Sequence, residues 1–126
     1  AQCGLGSKLQ GVAGRMQDYN TAEASIDLVL MMGSLLCLPR AGVNVFLRKA
    51  MNFIKPGGCL VVRENLLLEE NRGPAGSPEM RFTPSELHSA LSECSSRVEY
   101  FDHMSKKTAY EDYLKLWTAF AVVWKD

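Results

Sequence analysis

The sequence predicts an α/β domain in which parallel strands are followed by a final antiparallel strand pair. Two uninterrupted apolar runs, residues 26–32 (Ile26-Asp27-Leu28-Val29-Leu30-Met31-Met32) and 59–62 (Cys59-Leu60-Val61-Val62), read as strands buried on both faces, as in a parallel sheet. Between them Val43, Phe46, Leu47, Ala50 and Ile54 recur at helical spacing and place one apolar stripe on one face. Near the end, residues 97–103 and 114–124 read as two strands joined by the polar connection Met104 to Asp112. That connection leaves no room for a crossover helix, so the two pair antiparallel.

The elements follow one another with clear punctuation. The polar stretch Asn20 to Ser25 precedes the first strand. Pro39 suits the approach to the helix, and Lys55-Pro56-Gly57-Gly58 stops it. A strand, a helix and a strand within about forty residues form a right-handed βαβ unit. Residues 69–80 carry Gly73, Pro74, Gly76 and Pro78 with little periodicity and read as a loop long enough to carry function. Thr83-Pro84-Ser85-Glu86 is a helix start: the Thr83 hydroxyl accepts from the amide three residues on, and Glu86 reaches back to complete a capping box. Leu87, Ala90, Leu91 and Cys94 give this second helix its buried face. Trp117, Phe120 and Trp124 in the last strand are explained by core packing.

Bulk properties narrow the function classes. Fourteen Lys plus Arg balance fourteen Asp plus Glu over 126 residues, and the basic residues are scattered, so charge implies no nucleic-acid partner. The four cysteines, Cys3, Cys37, Cys59 and Cys94, lie far apart without metal-ligand spacing and read as reduced thiols of a cytoplasmic or nuclear protein. No apolar stretch approaches the ~20 residues of a membrane helix, and Ala1-Gln2-Cys3-Gly4 has no signal-peptide pattern. The start without Met points to a fragment or a processed chain.

More specific are Met16-Gln17-Asp18-Tyr19, Ile26-Asp27-Leu28-Val29, Phe46-Leu47-Arg48-Lys49, and the run from Ile54-Lys55-Pro56-Gly57-Gly58 to Arg63-Glu64-Asn65. Laid end to end without a gap, these segments resemble the family of α-N-terminal protein methyltransferases. Those are class I, Rossmann-like enzymes that use S-adenosyl-L-methionine. The resemblance implies that residues 1–126 form a single partial domain, the C-terminal half of such a fold. Gly4 and Gly6 have no apolar strand before them, so the Gly-rich turn after the first strand of the full fold has no counterpart here. The missing N-terminal half is then a required partner.

The same resemblance assigns candidate residues. Met16, Gln17 and Met32 stand where the family contacts the cofactor, Glu64 where an acid orients the substrate α-amine or takes its proton, and Asn65 where an amide binds the N-terminal peptide. Without the resemblance, Glu64 is an exposed strand-end charge, Asn65 a turn residue and Gln17 part of a polar turn. The chain departs from the family where Met32 and Gly33 replace a Gln and a Trp, and where Cys37 replaces a His. These departures leave room for two other functions, a methyltransferase for a small molecule and an inactive binding module. His88 reads as a surface histidine, Tyr110 and Tyr113 as loop tyrosines, and Glu69 and Glu70 lie near where the family recognises basic peptides.

Overall fold

The computed structural model describes residues 8–67, 82–103 and 116–126. Within them the elements run β1 (Ile26–Met32), α1 (Val43–Phe53), β2 (Ile54–Leu67), α2 (Pro84–Ser92), β3 (Val98–His103) and β4 (Leu116–Trp124). The strands form one sheet in the order β1-β2-β4-β3. β1 and β2 are parallel, and β4 runs antiparallel to both of its neighbours. The last strand is therefore inserted between two strands of the opposite direction, and the predicted fold class stands. Residues 69–80, the connection 104–112, and with them Glu69, Glu70, Tyr110 and Tyr113, lie outside the described residues.

Period-two alternation sets the core. Leu60, Val62, Glu64 and Leu66 of β2 are all buried, beside Ala119, Ala121 and Val123 of β4. Of the aromatic residues that the sequence assigns to the β4 core, Trp117 has a side chain outside the described residues. Phe120 and Trp124 fall on the opposite phase and are half-buried. β1 is apolar on both faces, and one of them is open. Among the described residues it pairs only with β2, and Leu28, Leu30 and Met32 are 51%, 59% and 52% exposed, whereas Met31 on the other face is buried. The strand is an edge, and no described element covers its second face.

Helix α1 buries Val43, Leu47 and Ala50 as its spacing predicts, together with Met51 and Phe53. Ile54 is not helical; it is the buried first residue of β2. Lys55 to Gly58 do not precede the second strand but interrupt it. Ile54 pairs with Ile26 and Cys59 with Leu28, so the residues between them bulge out of the ladder. Gly57 adopts φ +85°, and its amide donates to the Lys125 carbonyl at 2.9 Å. Gly58 lies where a Cβ would strike the Asp27 carbonyl and come within 2.7 Å of the Ile54 Cγ2 methyl.

The capping box of α2 forms: Thr83 Oγ1 accepts from the Glu86 amide at 3.3 Å, and Glu86 Oε1 accepts from the Thr83 amide at 3.0 Å. Leu87, Ala90 and Leu91 are buried, and Cys94 follows the helix with its thiol donating to the Leu91 carbonyl. Thr83→Ala is expected to cost about 1 kcal/mol in urea unfolding, and Thr83→Ser to recover most of it. Equal loss in both variants would assign the effect to packing of the Thr83 methyl.

Candidate functional site

Ligands of open α/β sheets gather at the carboxyl ends of the parallel strands. At that end of β1, Met32 lies in register with Arg63. The chain leaves the strand through Gly33 at φ +71°, whose amide donates to the Arg63 carbonyl at 2.7 Å. A 3-10 turn, Leu35–Cys37, follows, with Leu35 and Leu38 buried. The Leu35 amide donates to Glu64 Oε1 at 2.8 Å.

Glu64 and Asn65 do not follow β2 as expected; they lie inside it. Continued pairing with β4 carries the strand past them, in register with Ala119 and Thr118. The readings of Glu64 as an exposed charge and Asn65 as a turn residue are both corrected by this. Glu64 is 1% exposed, in phase with Val62 and Leu66, and its Oε2 has no hydrogen-bond partner. Burial raises its pKa above the ordinary carboxylate value, opposed by the Leu35 amide and the Arg63 charge. Asn65 projects to the other face, where its Oδ1 accepts from Thr118 Oγ1 at 3.0 Å. The two neighbours are therefore not brought together.

The unfolded chain loses the Glu64 proton near the usual pKa, while the folded chain keeps it to higher pH. Stability from this group is present below the unfolded value and is lost as pH rises through the folded one. Glu64→Gln is expected to flatten that slope in urea titrations from pH 4 upward. An unchanged slope would show that Glu64 is not its source.

Met16 and Gln17 occupy a 3-10 turn, Met16–Asp18. Lys49 Nζ donates to the Gln17 carbonyl at 3.0 Å, and Tyr19 meets Phe53 edge-on at 5.9 Å, so the segment is docked on α1. Met16, Tyr19, Val29, Ser34 and Phe46 help line a largely apolar cavity of about 450 Å³ beside β1. Gln17 and Met32 are not among its lining residues. Cys37 and His88 are exposed. Among the described residues, no three His, Cys, Asp or Glu side chains are grouped to hold a metal ion, and no helix is long and apolar enough to cross a membrane.

Sequence reasoning assigns no site role to Leu35, to Lys49 of the Phe46-Leu47-Arg48-Lys49 segment, or to Thr118. They are 29, 32 and 53 residues from their partners, and two of the three contacts use backbone atoms. Such contacts leave no motif.

No family model and no curated protein sequence matches the chain. Solved structures do. Geranyl diphosphate C-methyltransferase from Streptomyces coelicolor, solved with Mg2+, geranyl diphosphate and S-adenosyl-L-homocysteine, is similar at TM-score 0.73 and 10% identity over 99% of this chain and 55% of that one. The cyclase SpnF matches at TM-score 0.73 and 15% identity, over 98% of this chain and 58% of its own. An S-adenosylmethionine-dependent methyltransferase from Aquifex aeolicus matches at 0.61 and 16%, over 90% of this chain and 54% of its own. Over its length the chain shares the fold of these structures, and it spans somewhat more than half of theirs. One of the three is a cyclase, so the fold alone does not fix the reaction.

Proposed function

We propose that the chain is the C-terminal half of an S-adenosyl-L-methionine-dependent methyltransferase acting on the α-amino group of protein N-termini. The observation that carries this reading is Glu64: a dry carboxylate near the carboxyl ends of the parallel strands, one oxygen held by backbone and the other without a partner. An amine must arrive neutral to be methylated, so a group that orients it and accepts its proton is what the site has to supply. In this structure Oε2 is closed to water, and an acceptor reaches it only when a covering residue moves.

The cofactor supplies a methyl group carried on a sulfonium. The cavity beside Met16 would take the flat, weakly polar face of an adenine ring, and Gln17, in the same turn but outside the lining, would reach the ring edge only by turning its side chain inward. Met32 would border the methyl-donor side. None of the described residues supplies a Gly-rich turn for close backbone approach to the cofactor or a strand-end acid for the ribose; those groups would come from an N-terminal half paired along the free edge of β1. Asn65, whose side-chain oxygen is already engaged by Thr118, would bind the peptide through its amide nitrogen.

A second reading, methyl transfer to a small molecule, is supported by Met32 and Gly33 standing where the resembled family has a Gln and an aromatic wall, and by the likeness to a geranyl diphosphate methyltransferase. The complete protein should be offered peptides starting Xaa-Pro-Lys with free and with acetylated termini. Labelling of the free peptide alone is expected. Equal labelling of both excludes the α-amine, and labelling of neither by a protein that binds cofactor selects the small-molecule reading or an inactive module.

A further inference from the structure

The turn Leu35–Cys37 begins without help from its own sequence. Ser34 stands at the N-cap position, yet its side chain makes no capping bond. The first amides of a helical turn have no partner within it and need one from elsewhere. For Leu35 that partner is Glu64 Oε1, 29 residues away on β2. Two residues earlier the Gly33 amide donates to the carbonyl of Arg63, the residue next to Glu64. Alternate amides at the exit of β1 are thus stitched to consecutive residues of β2, one through main chain and one through a side chain. The side-chain stitch occupies a strand position that alternation reserves for apolar residues, between Val62 and Leu66.

We infer that Glu64 is a positioning residue whose Oε1 clamps the Leu35 amide and so fixes the segment from Gly33 to Leu38 over β2. This is a second role, beyond the proposed contact of Oε2 with an acceptor amine. The clamp stands on geometry alone; its importance for catalysis rests on the methyltransferase reading, because Met32 and Ser34 flank Gly33 at the mouth of the site. A buried carboxylate is costly at a core position, and its bond to the Leu35 amide, which a leucine cannot make, offsets part of that cost. Leu35 and Leu38 then bury their side chains in a fixed register on either side of the exposed Cys37.

The test compares Glu64→Gln with Glu64→Leu in this chain, reading amide hydrogen exchange at Leu35 against Leu60 and Val62. Gln keeps an Oε1 acceptor and loses the charge; Leu keeps the volume and loses the acceptor. Exchange at Leu35 is expected to stay slow in Glu64→Gln and to quicken about tenfold or more in Glu64→Leu, with Leu60 and Val62 unchanged. Unchanged exchange at Leu35 in Glu64→Leu overturns the clamp. So does equal acceleration at all three amides, which reports general destabilisation, and so does fast exchange in Glu64→Gln, which would make the charge and not the acceptor the cause. None of these results depends on methyl transfer, so failure of the clamp and failure of the proposed activity are separately visible.

Discussion

In the complete protein, Glu64→Gln is expected to lower turnover about a hundredfold while leaving S-adenosylmethionine affinity nearly unchanged. The substitution keeps shape and keeps an acceptor for the Leu35 amide, so the exit of β1 stays in place. What it removes is the ability to take a proton or to face developing positive charge as the amine is alkylated. Asn65→Ala, by contrast, should chiefly weaken peptide binding, because an amide holds the substrate in ground and transition state alike. Single-turnover and steady-state measurements on a free Xaa-Pro-Lys peptide separate the two effects. Turnover in Glu64→Gln equal to that of the parent would remove Glu64 from the chemistry and leave it the clamp alone.

Gly58→Ala is expected to destabilise the fold by about 3 kcal/mol, the upper end of overpacking costs. A methyl group there meets the Asp27 carbonyl of β1 and the Ile54 Cγ2 methyl at 2.7 Å, with the Lys55 carbonyl at 3.1 Å. Neither a ladder carbonyl nor the stem of a fully buried isoleucine has anywhere to go. Gly57→Ala is the control. Gly57 has open space but a φ of +85°, so the expected cost is about 1–2 kcal/mol from left-handed backbone alone. Urea unfolding of both variants decides between them. A cost at Gly58 no greater than at Gly57 would mean that β1 can slide away from the bulge.

The parts of this fold legible in the sequence are those set by local pattern. The α1 stripe and the Thr83 capping box each follow from residues within a few positions of one another, and the closing antiparallel pair follows from a connection too short for a crossover helix. The apolar run of β1 reports affinity for a core, and its open face reports that no described neighbour provides one on that side. The Lys55 to Gly58 bulge looks locally like a simple helix stop, because pairing of Ile54 with Ile26 is a long-range fact. At the site, Glu64 was found through resemblance. Its surroundings were not, since a carboxylate at a core position looks locally like the end of a strand, and only β4 shows that the strand goes on.

The insertion of β4 between β2 and β3 also has a kinetic side. β2 and β3 are made before the strand that separates them; β2, paired with β1, waits with one edge open, and β3 waits without a described strand partner. The contacts that close the sheet join Cys59 to Trp124 and Leu67 to Leu116, pairings of large sequence separation that form late and slowly. During that wait open strand edges are available to neighbouring molecules as well as to β4. Refolding yield should therefore fall with protein concentration, through competition between insertion and intermolecular pairing.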